Sequence, residues 1–428
     1  MLLHSASQLL TLAGGPQRGQ ELGRLSIIPG GAVLIRGERI AAVGTSEELR
    51  ARYPNEPAYD ASGCVVLPGL VDAHTHLIWA GDRADEFEAR LAGRTYLEAL
   101  EGGGGILSTV RRTRQASDEE LLEGSRKRAA AMFRHGTTTA EAKTGYGLST
   151  IEELRLANLL LTLDRQLPLD LVPTFLPAHA IPPEFRGKAE VYVTLVVEEM
   201  LPAAANLFRS SISAGEAPFV DVFCDEGAFD LAQTERILGA AKALGFRLKV
   251  HADEFAPLGA VPLAVSLGAT SVDHLTVTPP DEIRALGQSD TVAVFLPATP
   301  FGLGEVHYPA ARDFLAANGL VALGSDLNPG TAWCENMQIV LAIACRTLGL
   351  TPAQAIAAAT INAAAALGKA ERIGSIEPGK QADLTVLSAG DYRHLGYRFG
   401  GNLVRAVIKR GQLYALPSDE SWPAAQAV

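Results

Sequence analysis

Through the middle of the chain, short β-branched and apolar runs alternate with longer stretches of helical period. Eight such runs stand out: Val65–Asp72, Thr137–Lys143, Leu171–Leu176, Phe219–Phe223, Arg247–Val250, Ser271–Asp273, Val292–Leu296 and Leu320–Leu323. Segments of helical pattern, 118–134, 151–165, 231–244 and 352–366, fall between or after them. Strands buried on both faces read as nearly continuous apolar runs, and their alternation with helices marks βαβ units around a parallel sheet. Eight strand–helix units in about 300 residues suit a (β/α)₈ barrel spanning residues 65–372. The rival architecture is a doubly wound open sheet, but its phosphate-binding fingerprint is missing. Gly102–Gly105 is a plain glycine run, read as a mobile loop near the barrel mouth or a tight connection, not as a G-x-G-x-x-G turn.

The two ends have a different rhythm. Gly31–Ile35, a turn at Arg36–Arg39 and Ile40–Val43 have the form of a hairpin, and Ala382–Leu387, Leu403–Ile408 and Gln412–Tyr414 read as further strands. Neither end buries a core by itself. A small β-domain made jointly from residues 1–64 and 373–428 solves that problem and brings the termini together.

Composition narrows the class. The 428 residues are 47% hydrophobic and 20% charged, as in a globular protein larger than one ordinary core. The formal net charge of −11 disfavours nucleic acid and anionic membrane surfaces as partners and leaves a local basic pocket for a small anion open. Cys64, Cys224, Cys334 and Cys345 are far apart and lack metal-type pairing, which points to a reduced, cytoplasmic setting. Met1-Leu2-Leu3-His4 does not open a signal peptide, and no apolar run reaches the roughly 18 residues of a membrane span. The alanine-rich stretch 355–366 is a good helix former, not low complexity.

Polar residues gather at the C-terminal ends of the strand-like runs: Asp72-Ala73-His74-Thr75-His76 after the first, His251-Ala252-Asp253-Glu254 after the fifth, Asp273-His274 at the sixth and Ser325-Asp326-Leu327-Asn328 after the eighth. In a barrel those ends meet at one mouth. Strand alternation puts residues i and i+2 on one face, so His74 and His76 reach one ion while Thr75 points away. With His251 and Asp326 they make three imidazoles and a carboxylate, a set suited to zinc or ferrous iron. A lone strand-end histidine is usually a hydrogen-bonded loop residue; the conjunction of all four is what carries the metal reading.

Two segments carry a resemblance. Val66-Leu67-Pro68-Gly69-Leu70-Val71-Asp72-Ala73-His74-Thr75-His76 resembles the first-strand signature of the amidohydrolase superfamily, and Gly374–Leu384 resembles the return of those enzymes to their small β-domain. Within it, His76–Arg83, Lys143–Leu148, Phe175–His179, His251–Glu254 and Ser325–Thr331 resemble the hydrolases that open an imidazolone ring in histidine breakdown. Two-metal superfamily members often carry a bridging carboxylated lysine at the fourth strand. Here that strand leads into Cys224-Asp225-Glu226, which favours one divalent ion, Zn²⁺ or Fe²⁺/Fe³⁺.

The resemblance further implies Glu254, His274 and Asp326 as catalytic, and Arg83, Tyr146, His179, Glu254, Asn328, Gly330 and Thr331 as substrate contacts, with Tyr96 a weaker candidate. It also implies a homodimer acting on a small carboxylate-bearing molecule. In this reading Asp326 takes a proton from water, His274 polarises the ring carbonyl and Glu254 protonates the leaving nitrogen. Arg83 pairs with the substrate carboxylate. Lys143 is a structural residue or a charge behind the ligands, and His4, His135, His307 and His394 are packing or surface residues. Two other readings stay open: a purine or pyrimidine deaminase or hydantoinase-like amidase, and a metal-bound binding protein without catalysis.

Overall fold

The computed structural model describes residues 1–93, 104–211 and 217–416, so Tyr96, Gly102 and Gly103 lie outside the described residues. The first strands are β1 (Leu2–Leu10), β2 (Ile27–Arg36), β3 (Arg39–Thr45), β4 (Ala58–Asp60) and β5 (Val65–Pro68). β2 and β3 form the expected hairpin, with Leu34 opposite Ala42 and Arg36 opposite Arg39. The run Val65–Asp72, expected to be one barrel strand, is two elements. β5 pairs parallel with β1 and stays in the terminal sheet, while β6 (Leu70–Asp72) begins the barrel. Pro68 has no N–H to continue a ladder, and the Gly69 N–H turns to the Asp383 carbonyl at 2.9 Å.

The barrel continues through β7 (Thr137–Lys143), β8 (Asp170–Ala178), β9 (Phe219–Cys224), β10 (Arg247–Ala252), β11 (Ser271–His274), β12 (Val292–Phe295) and β13 (Leu320–Leu323). Neighbours pair in sequence order and all pairs are parallel. Closure between the first and last strands runs through the residues just beyond them. The Asp326 N–H donates to the His74 carbonyl at 3.0 Å, and the His76 N–H to the Leu327 carbonyl at 2.9 Å. Asp72 staples the same seam, its carboxylate accepting from the Ser325 N–H (2.8 Å) and hydroxyl (2.6 Å).

The chain then returns to the first sheet as β14 (Leu384–Leu387), β15 (Val404–Lys409) and β16 (Gln412–Ala415), with β14 antiparallel to β5. The resulting order, β16-β15-β14-β5-β1-β2-β3, is the composite sheet expected from the two ends. Leu3, Leu9, Val33, Ile35, Val66, Val386 and Ile408 are fully or almost fully buried in one cluster drawn from both ends.

Three of the expected helices appear as Asp118–Arg134, Thr150–Gln166 and Leu231–Ala243. The first starts at a capping box, Ser117 with Glu120. The fourth, expected over 352–366, breaks into Pro352–Ala358 and Ile361–Ala366. Alanine propensity is continuous across the break, but the Val71 N–H of the barrel takes the Ala359 carbonyl at 2.9 Å, away from the helix. Ala189–Ser211 is long and apolar enough to cross a membrane by length and composition alone. Here it packs Tyr192, Val193, Val196, Met200, Leu201 and Phe208 into the core with no exposure.

Along the strands, inward-pointing residues stack in layers. Phe219 and Val292 lie in an apolar cluster at one level. Glu141, Lys143, Asp221, Lys249 and Asp273, all fully buried, form an ionic layer. Strand alternation then carries β10 from Lys249 to His251, which brings the imidazoles in above it.

Candidate metal centre

The two histidines of β6's extension point as the alternation requires. Thr75 turns away, donating its hydroxyl to the Glu141 carbonyl at 2.5 Å. His74 Nε2 and His76 Nε2 are 3.3 Å apart, and His251 Nε2 is 3.4 Å from His76 Nε2. Asp326 Oδ1 lies 3.4 Å from His74 Nε2 and 3.6 Å from His76 Nε2. Donors about 2.0–2.1 Å from a shared ion at tetrahedral angles are themselves about 3.3–3.4 Å apart. His74, His76 and Asp326 come together near that spacing as one metal-capable group, and His251 meets it toward His76, with which it forms a second group alongside His179. The histidines are buried at relative exposures of 0–2%, and His76 Nδ1 has no hydrogen-bond partner. Burial holds the His74 and His76 pKa values well below the ordinary imidazole range, helped by Lys143 and His251 for His74 and by His179 and His251 for His76. Both rings are therefore neutral and able to donate a lone pair.

The backbone at these positions is unusual. Asp253 (φ 56°), His274 (φ 79°) and Asp326 (φ 53°) are left-handed although none is glycine. Such strain costs of order 1–3 kcal/mol each and clusters where function fixes a side chain.

Beside the expected ligands lie the expected catalytic groups. His274 Nδ1 is 3.6 Å from Glu254 Oε2. Burial, then Asp326 and Asp225, raise the Glu254 pKa well above the ordinary carboxylate range. Burial, then His251 and Lys143, lower that of His274 well below 6.5. These directions favour a protonated carboxyl beside a neutral imidazole. Burial lifts the Asp326 pKa to about 6, against the pull of its Thr299 bond and of His251. The Thr299 hydroxyl donates to Asp326 Oδ2 at 2.6 Å, which leaves Oδ1 turned to the histidines.

A cavity of about 150 Å³ opens over this cluster, lined by His76, Arg83, Tyr146, His179, His251, Glu254, His274, Asp326, Asn328 and Thr331 among others. Of the predicted contacts, Gly330 stands outside that lining. Its role is spatial, since a Cβ there would collide with the Arg83 guanidinium. Arg83, only 9% exposed in its side chain, donates from Nε to Glu86 Oε2 at 2.7 Å. Asn328 accepts at Oδ1 from the N–H groups of Gly330 (2.8 Å) and Thr331 (2.9 Å), and donates to the Asp326 carbonyl at 2.7 Å. Its amide thus shapes the loop at the rim.

His179 Nδ1 donates to the Gly145 carbonyl at 3.0 Å; a carbonyl only accepts, so the proton is on Nδ1 and Nε2 is an acceptor. Its ring stacks on His76 at 4.8 Å, and burial, then His251, bring its pKa down to about 3. An acceptor nitrogen suits a substrate N–H better than a carboxylate, so the cationic side of the pocket falls to Arg83. Gly145 has φ +104°, and a Cβ there would come 2.8 Å from His179 Nδ1, so only glycine serves.

Several residues that sequence reasoning passed over hold these groups in place. Buried Glu153 accepts from the N–H groups of Gly145, Gly147 and Leu148 and so fixes the loop that carries Tyr146. Asp225 accepts from the N–H groups of Glu254 (2.8 Å), Phe255 (3.0 Å) and Ala256 (2.9 Å), pinning the backbone beneath Glu254. Their sequence signal is a carboxylate in the first turn of a helix for Glu153 and one following a strand for Asp225, both common and unspecific. His4, His135, His307 and His394 are absent from the metal-capable groups among the described residues.

Residues 240–414 match the Amidohydrolase family, and residues 31–55 match the imidazolonepropionase-like composite domain of bacteria. The chain is 50% identical over 412 residues to an imidazolonepropionase of Herpetosiphon aurantiacus, covering 96% of each. It is 51% identical over 417 residues to an imidazolonepropionase of Chloroflexus aggregans, covering 96% of this chain and 98% of that one. Among solved structures, the guanine deaminase of E. coli superposes with a TM-score of 0.71 at 18% identity, over 97% of this chain and 99% of its own. At that identity the likeness is one of fold.

Proposed function

The chain belongs to the imidazolonepropionase family of amidohydrolases, and from that premise we propose that it opens an imidazolone ring bearing a propanoate arm. Water is added across the ring amide to give N-formimidoyl-L-glutamate, a step of histidine degradation. The site would hold one zinc or iron ion on His74, His76, His251 and Asp326. The observation that supports this reading is the spacing of 3.3–3.6 Å among the His74, His76 and Asp326 donors, with His251 at 3.4 Å from His76, beside Glu254 and His274.

When bound, such an ion supplies Lewis acidity that turns water into a nucleophile near neutral pH. The protein's own groups handle substrate and protons. Arg83 meets the propanoate carboxylate with a charge-assisted bond. His179 Nε2 accepts a ring N–H. His274, neutral and buried, sits where it can hydrogen-bond the carbonyl oxygen as negative charge develops. Asp326 receives a proton from the attacking water. Glu254, held protonated by its burial, delivers one to the nitrogen as the C–N bond breaks. Low dielectric around the buried groups strengthens each of these interactions.

A homodimer in the cytoplasm is part of the proposal, and sedimentation equilibrium tests the dimer. The deaminase alternative is weaker because Arg83 at the cavity favours a substrate with a carboxylate over a neutral base. The direct test is a substrate panel on metal-loaded protein, followed by absorbance. Turnover of imidazolone propanoate with none of guanine, cytosine or hydantoin is expected. Turnover of a neutral base alone would overturn the reading, and stoichiometric metal without turnover of any cyclic amide would favour a binding protein.

Two variants probe the pocket. Arg83→Ala is expected to reduce kcat/KM by about 10–100-fold, largely through KM, the worth of one charged hydrogen-bonded contact; metal content should not change. Asp225→Asn replaces an acceptor of four N–H groups, those of Glu226, Glu254, Phe255 and Ala256, with one that presents a single oxygen. It should lower kcat about tenfold with KM and metal content near wild type, because a misplacement of about 1 Å is enough to cost that much. Steady-state kinetics with metal analysis reads both.

A further inference from the structure

Beneath the imidazoles, two carboxylate oxygens each serve two partners. Asp221 Oδ2 accepts from Lys143 Nζ at 2.6 Å and lies 3.0 Å from His251 Nδ1. Asp273 Oδ2 is 2.6 Å from His74 Nδ1 and 3.6 Å from the same Lys143 Nζ. Glu141 Oε2 completes the surroundings of that ammonium at 2.8 Å. All six side chains are at most 3% exposed.

From this sharing we infer that Lys143 is a positioning residue of the metal centre, aligning two proposed ligands through the carboxylates that hold them. Two facts carry the argument. The oxygens that Lys143 approaches are the oxygens that face the ring nitrogens pointing away from the ion, not the other oxygen of each carboxylate; Asp273 Oδ1 is taken by the Ser271 hydroxyl at 2.6 Å. And the two histidines so addressed come from opposite sides of the barrel, one from the extension of β6 and one from β10. A carboxylate on Nδ1 fixes the ring's tautomer and rotation, and leaves Nε2 as the lone-pair donor. The ammonium in turn stops each carboxylate from swinging toward another donor.

Lys249 offers a contrast within the same layer. Its ammonium meets Glu141 Oε1 at 3.0 Å and the Ala73 carbonyl at 3.2 Å, so its direct contacts are with neither of those shared oxygens. Three carboxylates face two ammoniums in this layer. The arrangement of contacts, more than the total charge, is what Lys143 adds.

The inference rests on the proposed ion, and its test separates the two. Zinc affinity is measured by competition with a chromophoric chelator for wild type, Lys143→Met, Lys249→Met and Asp221→Asn, each checked for fold by circular dichroism and thermal melting without metal. Lys143→Met and Asp221→Asn should bind zinc about 10–100-fold more weakly than wild type, the usual cost of losing a group that orients a metal ligand. Lys249→Met removes the same charge from the same layer and should stay within about threefold of wild type on that reasoning. Equal losses in both lysine variants, or a Lys143→Met protein that melts earlier yet binds zinc normally, overturns the inference. Should Lys143→Met fail to fold, wild-type affinity in Asp221→Asn overturns it. A wild-type protein that takes up no zinc or iron removes the metal reading itself.

Discussion

Glu254→Gln should cost about 10²–10⁴-fold in kcat and leave the metal in place. Glutamine keeps the shape and polarity of the side chain but has no proton to give the leaving nitrogen. Glu254 Oε2 is 3.6 Å from His274 Nδ1, and Glu254 is not one of the four proposed ligands, so metal content has no reason to fall. Its pKa is raised first by burial and then by Asp326 and Asp225, which is the direction a proton donor working at neutral pH requires. Single-turnover kinetics with metal analysis distinguishes this from a binding defect, since KM should stay near wild type. Turnover within a factor of a few of wild type, at unchanged metal content, would remove Glu254 from the mechanism.

The second large effect is expected at Asp326. Asp326→Ala takes away the carboxylate proposed both to complete the ligand set and to receive the water proton. It also leaves the Thr299 hydroxyl without its 2.6 Å acceptor. Metal should be lost or bound far more weakly, and turnover should fall to the limit of detection. Zinc or iron added in excess should restore little, because the proton acceptor is still missing. Restoration to near wild-type rate by excess metal would show that Asp326 is a ligand alone, and would move the general base elsewhere.

Much of this site was legible in the sequence because strand geometry is periodic. His74 and His76 read as a pair since residues two apart share a face, and the four motifs read as neighbours since strand ends of a barrel converge. The seam was less visible. Val65–Val71 is apolar apart from the Pro68-Gly69 break, and nothing in that pattern tells that Val65–Pro68 pairs with a strand more than 300 residues later. The helix break at Thr360 was hidden for a similar reason, because its cause is a distant backbone N–H on Val71.

The ionic layer shows where a signal existed and was underused. Glu141 and Lys143 lie two apart within one buried strand, and Asp221 and Lys249 lie inside others. Charges at inward positions of such strands must be paired, and their partners had to be one another. What sequence could not supply was which oxygen faces which ring, since Lys143 and Asp221 are 78 residues apart and His74 and Asp273 are 199 apart. Thr299, Glu86 and Glu153 belong to the same kind: ordinary residues whose role appears only once the barrel closes around them.

Anomalous diffraction from a crystal of the metal-loaded protein, collected on both sides of the zinc and iron absorption edges, tests the central claim most directly. One peak should stand within about 2.0–2.2 Å of His74 Nε2, His76 Nε2, His251 Nε2 and Asp326 Oδ1. No peak among those atoms in a metal-loaded, active protein, or two peaks within the barrel mouth, would contradict it.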